Sequence, residues 1–124
     1  MSILNQLHSI KKQLAPHVSL VAVSKTKPVA DIEAAYQAGQ RVFGENYLQE
    51  AMDKQKDLKD YPIEWHFIGP IQSNKCKLIA ENFDWVQTVD RMKIARRLDE
   101  SCSGKIINIC IQINISEEPT KSGI

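Results

Sequence analysis

The strongest constraint on this chain is a period. Apolar, β-branched runs begin at residues 18, 41, 63, 84 and 106, so the intervals are 23, 22, 21 and 22 residues. The runs cover 18–24, 41–44, 63–68, 84–88 and 106–115. Such spacing holds one strand and one helix per repeat. Helical patterns fill the gaps. Val29, Ile32 and Tyr36 recur after Pro28, which suits a first helical position, and Gly39 suits the stop. Leu48, Ala51, Met52 and Gln55 mark a helix over 45–56. Ser73 is the expected cap of 74–82, with Leu78, Ile79 and Phe83 packing. Asp90 is the expected cap of 91–102, with Ile94, Ala95, Leu98 and Cys102 on one side. A further helix precedes the first strand. Its stripe is Ile3, Leu7, Ile10 and Leu14, stopped near Pro16.

Strands alternating with helices imply parallel pairing and right-handed crossovers. Two architectures of the α/β class fit, a doubly wound sheet and a (β/α)8 TIM-type barrel. The fifth run favours the barrel. Ile107, Ile109, Ile111, Ile113 and Ile115 share one face, and Asn108, Cys110, Gln112 and Asn114 share the other. A strand covered by helices on both faces reads apolar on both. One polar face suits a lumen that holds a ligand. A barrel of this type has eight strands and about 250 residues. The 124 residues supply five. The expectation is that 1–124 is the N-terminal part of a barrel domain. A small open sheet, or pairing with a second chain, are the other ways to satisfy the unpaired edges.

Composition narrows the function classes. Lys plus Arg number 16 and Asp plus Glu 15, a formal net charge of +1. That balance gives no electrostatic footprint for nucleic acid. No apolar run approaches the roughly 18 residues of a membrane span. Residues 1–5 lack a basic stretch leading into an apolar one, so the expected compartment is the cytoplasm. Cys76, Cys102 and Cys110 lie at wide, irregular spacing and are expected to pack as small apolar residues. His8, His17 and His66 share no ligand spacing, and no metal is expected.

Functional residues of a barrel gather at the C-terminal ends of its strands. The first run ends Val23-Ser24-Lys25-Thr26-Lys27-Pro28. Lys25 shares a face with Val21 and Val23. An amine among apolar neighbours loses ammonium stability and becomes a nucleophile toward aldehydes. Lys25 as a solvated loop lysine is the plainer alternative. The second run ends Phe43-Gly44-Glu45-Asn46-Tyr47, where Glu45 or Asn46 reads as a helix cap. His66 in the third run points into the lumen or is a hydrogen-bonded core histidine. Gln72, Ser73 and Asn74 read as a turn and cap, and Asp90 as a cap rather than an acid. No Gly-rich phosphate loop is present.

Four segments, in order along the chain, carry a resemblance. They are Val21-Ala22-Val23-Ser24-Lys25-Thr26-Lys27-Pro28, Phe43-Gly44-Glu45-Asn46-Tyr47, Trp65-His66-Phe67-Ile68-Gly69-Pro70-Ile71-Gln72-Ser73-Asn74-Lys75, and 111–116 with Lys121-Ser122-Gly123-Ile124. Together they resemble the pyridoxal phosphate homeostasis (YggS-like) proteins, whose fold is the barrel of the alanine racemase N-terminal domain. The resemblance implies pyridoxal 5′-phosphate bound as a Schiff base on the lysine matching Lys25. It implies that Asn46 and His66 lie near the cofactor, and that Lys27 and Lys121 help to handle or transfer it. It implies a carrier and regulator of the vitamin B6 pool, with PLP-dependent apo-enzymes as recipients, rather than a robust enzyme. The alternatives are a racemase-like PLP enzyme and a fragment that binds no cofactor. Family members run to a complete barrel, on the order of 230 residues. Their cofactor phosphate is held mainly by strand ends near the C-terminus, so weak binding is expected from 1–124 alone.

Overall fold

A computed structural model describes residues 2–116 and 118–124. Helix α1 (Ile3–Lys12) is followed by β1 (Ala22–Val23), α2 (Val29–Gln37), β2 (Val42–Glu45), α3 (Leu48–Asp57) and β3 (Glu64–Phe67). A 3₁₀ turn at Ser73–Lys75 then leads into α4 (Cys76–Asn82), β4 (Trp85–Val89), α5 (Met92–Glu100) and β5 (Asn108–Ile111). The five strands form one sheet in the order β1-β2-β3-β4-β5, every neighbouring pair parallel. A doubly wound sheet reverses its strand order at a switch point. This one never reverses, which is the progression of a barrel wall.

Register divides the sheet into two faces. Ala22, Phe43 and Trp65 share one row, and Glu45, Phe67 and Val86 share another on the same face. This outer face meets the helices. Phe43, Phe67, Val86 and Val89 are buried against Ile32, Ala35, Ala51, Ile79, Ile94 and Leu98. Each large side chain fully removed from water stabilises the fold by about 2 kcal/mol. Phe67 and Phe83 meet edge to face, with centroids 5.2 Å apart. The inner face carries the row Val23, Gly44, His66, Trp85, Asn108.

Several boundaries depart from the sequence expectations. Pro28 is the N-cap of α2, not its first residue, because its ψ of 158° is still extended. Gly39 does end the turn, at φ 103°. Helix α3 starts at Leu48 rather than Glu45, because Glu45 completes β2 and is fully buried. Neither Ser73 nor Asp90 caps a helix. Ser73 opens the 3₁₀ turn, and Asp90 accepts from the Arg91 guanidinium at 3.2 Å. Ser2 is a side-chain cap, its hydroxyl accepting from Asn5 N–H at 3.1 Å. Strand β5 is Asn108–Ile111, far shorter than the apolar run of 106–115. Its neighbour β4 supports it on one side only. Ile109, Ile111 and Ile113 stay exposed.

Beyond β5 the chain folds back on itself. Asn114 N–H donates to the Ile124 carbonyl at 3.1 Å, and Ile124 N–H donates to that of Gln112 at 3.0 Å. The Asn114 amide donates to the carbonyls of Glu118 and Lys121. A Cβ at Gly123 would stand 2.5 Å from Asn114 N, so this return requires glycine there.

Candidate functional site at the carboxyl ends of the strands

Lys25 lies two residues past Val23, whose register partner is Gly44. It stands in the turn that leaves the carboxyl end of β1, as Asn46 directly follows the carboxyl end of the neighbouring β2. Lys25 is exposed rather than lodged among apolar side chains, and Val23 below it is itself half exposed. The burial that the sequence argument needed is not present at this lysine. Gly44, the partner of Val23, is closely packed: a Cβ there would come within 3.1 to 3.2 Å of Ile68 and Val21.

The residues flanking Lys25 are held firmly from the outer face. Ser24 is buried, its N–H donating to Gly44 carbonyl at 2.9 Å. Its hydroxyl donates to the Glu45 carboxylate, and its carbonyl accepts from Lys54 Nζ at 2.8 Å. Lys54 reaches this point from α3 and also pairs with Glu45 at 3.0 Å and Glu50 at 2.8 Å. Glu50 in turn accepts from Thr26 N–H at 2.6 Å. Thr26 has φ 62°, unusual for a β-branched residue. Donation from the Lys54 ammonium holds the Glu50 carboxyl below its usual range, against a smaller opposing effect of burial. Sequence reading missed this cluster. The i,i+4 spacing of Glu50 and Lys54 was its only local signal.

Asn46 is half buried at the end of β2. Its carbonyl packs on Gly69, where a Cβ would meet the oxygen at 2.2 Å. It lines a cavity of about 340 Å³ together with Phe67, Pro70, Gln72 and Lys75. His66 lies one inner-face position deeper and is buried. Nε2 bonds Glu64 at 2.7 Å and Nδ1 bonds Gln87 at 2.8 Å, so both ring nitrogens are engaged. The ring stacks on Trp85 at 5.5 Å, 9° from parallel. His66 is thus both inner-facing and satisfied; the two readings of the sequence were not exclusive. Gln87 and Trp85 were not foreseen as its partners.

Lys27 and Lys121 stand apart from that grouping. Lys27 lines a groove of about 410 Å³ between α1, α2 and the edge of β1. Lys121 lies past β5, at the other edge of the sheet. Of the cysteines, Cys76 is buried and its thiol is pushed up by burial, Cys102 is half buried, and Cys110 is exposed, contrary to expectation. Among the described residues, no three or more His, Cys, Asp or Glu side chains converge on one point, and no helix is long and apolar enough to cross a membrane.

The sheet order agrees with comparison to known proteins. The family model for the alanine racemase N-terminal domain matches residues 2–124. The chain belongs to that family. A pyridoxal phosphate homeostasis protein of Pasteurella multocida is 57% identical over 126 residues, covering 97% of this chain and 54% of the relative. Its counterpart in Pseudomonas aeruginosa is 58% identical over 108 residues, covering 86% and 47%. The chain thus spans about half the length of these curated relatives. The structure of PipY from Synechococcus elongatus without PLP superposes with TM-score 0.94 at 45% identity, over 98% of this chain and 58% of PipY. PipY with PLP bound gives 0.93 at 43%, over 99% and 58%.

Proposed function

We propose that residues 1–124 form the lysine-bearing part of a pyridoxal 5′-phosphate site, with the cofactor held as a Schiff base on Lys25. The role is cytoplasmic homeostasis of that cofactor, as a carrier that can yield it to PLP-dependent apo-enzymes. The observation that carries this reading is the placement of Lys25. An exposed amine stands at the carboxyl end of β1 while Ser24 and Thr26 on either side are fixed. The similarity to PipY, whose structure has been solved with PLP, supports it.

The cofactor supplies an aldehyde, which condenses with a primary amine. The chain's own residues then divide the work. Lys25 provides the amine, and Asn46 offers an amide at the carboxyl end of the neighbouring strand. His66 below forms a fixed floor with Trp85. Lys27 and Lys121 lie outside this grouping and serve as accessory sites of handling. The turn after β1 does not suit a phosphate dianion. Thr26 N–H is taken by Glu50, and Lys27 N–H by the Ser24 carbonyl at 3.1 Å. A carboxylate on the turn also repels the dianion. Phosphate anchoring therefore belongs to other strand ends, and affinity of 1–124 by itself is low.

Binding rather than turnover is the reading we favour. Racemisation needs positioned bases on both sides of a substrate. Both nitrogens of His66 are occupied, leaving Lys25 without a second base from that residue.

The test is incubation with pyridoxal phosphate, borohydride reduction, intact mass and peptide mapping. The expected result is a single modified site, Lys25, on a minority of the chains. No adduct, or a scatter over the lysines, would refute the reading.

A further inference from the structure

A buried ionic cluster lies behind the turn that carries Lys25. Glu45 is wholly buried, Lys54 nearly so, and neither touches the inner face. A buried ion pair is often no more stabilising than an apolar pair of the same size. What these groups do is grip the turn. Hydrogen bonds converge on the two residues flanking Lys25, among them Ser24 N–H to Gly44, Ser24 hydroxyl to Glu45, Lys54 to the Ser24 carbonyl, and Thr26 N–H to Glu50. The last one runs to a half-exposed side chain on α3. It crosses from one β/α unit to the next and holds Thr26 at its positive φ.

Resting on the reading of Lys25 given above, we propose that Glu50 and Lys54 are positioning residues, which fix the Ser24–Thr26 turn so that the Lys25 amine is presented at the inner face. Lys54 has a second consequence. Its ammonium is spent on Ser24, Glu45 and Glu50. The lysine that α3 brings to this turn is thereby withheld from the aldehyde. Losing the Thr26 bond frees the turn and disperses the amine over many orientations, which slows a reaction that depends on orientation.

Three proteins decide the matter: the unaltered chain, Glu50→Ala and Glu50→Gln. Each is exposed to pyridoxal phosphate, quenched with borohydride at timed intervals, and the adduct at Lys25 is divided by that at Lys121. Glu50 is half exposed, so the fold should persist, and circular dichroism checks this. Expected is a roughly tenfold fall in the ratio for Glu50→Ala. Glu50→Gln, which keeps an acceptor for Thr26 N–H, recovers most of it. The Thr26 amide resonance should move upfield in Glu50→Ala and stay near its place in Glu50→Gln. A merely structural role for Glu50 would shift the melting temperature and leave the ratio alone. An unaltered chain that prefers Lys25, with an unchanged ratio in Glu50→Ala, overturns the positioning role and leaves the site reading intact. An unaltered chain with no preference for Lys25 overturns the site reading and the positioning role with it.

Discussion

The two faces of the sheet differ in chemistry and in closure. On the outer face, Phe43, Phe67, Val86 and Val89 lie under helices and exclude water. On the inner face, Val23 is exposed, Gly44 has no side chain, and His66, Trp85 and Gln87 bind one another. The outer face is fixed by packing and the inner face by hydrogen bonds. The difference separates tasks. Stability resides in the helix-covered side, and reactive groups are set on the side where water and small molecules arrive. One cluster joins them. Glu45, Lys54 and Ser24 are buried on the outer side yet hold the turn that carries Lys25.

This contrast breaks most readily on the outer side. Phe43→Ala should cost about 4 kcal/mol, seen as a lower denaturant midpoint, because the cavity lies under α2 and α3. Lys54→Ala should cost about 3 kcal/mol, since Glu45 is left charged and buried with only the Ser24 hydroxyl as donor. A loss below about 0.5 kcal/mol there would show that water reaches Glu45. Gly69→Ala should cost about 2 kcal/mol and displace Asn46, since the added Cβ would overlap its carbonyl. Lys25→Ala sharpens the contrast from the other side. Stability should stay within about 0.5 kcal/mol, while the reduced cofactor adduct disappears from the peptide map. The smallest effect concerns pH. Glu50 has a folded value depressed below the usual 4.5, so its contribution is present above that value and fades as pH falls through the depressed one. The unaltered chain should lose stability over that acid range slightly more steeply than Glu50→Gln, by urea midpoints at several pH values.

Sequence reading reached the repeat and the barrel progression because both depend on local pattern. Apolar periodicity located every strand and helix, and the smooth interval matched the smooth strand order. Strand β5 was overextended, because an isoleucine every second residue signals pairing but cannot say whether a neighbour exists to cover it. Glu45 was taken for a cap because a carboxylate before a helix usually is one. Its real partners are Lys54, 9 residues on, and Ser24, 21 residues back. The second of these is invisible to local spacing. Lys25 was legible as a strand-end lysine, and its exposure is the plainer of the two alternatives that the sequence offered, the apolar lodging being the one not met. His66 showed its position but not its partners Glu64 and Gln87, the latter on another strand.

The most direct measurement is a titration of the ¹⁵N-labelled chain with pyridoxal 5′-phosphate, followed amide by amide. Shifts should be confined to the inner, carboxyl-end residues around Lys25, Gly44, Asn46 and His66, and should vanish in Lys25→Ala. A different outcome would contradict the placement of function on the inner face. It would be shifts centred on the groove of about 480 Å³ between α4 and α5, where Lys77, Lys93, Arg96 and Arg97 offer cations on the outer side.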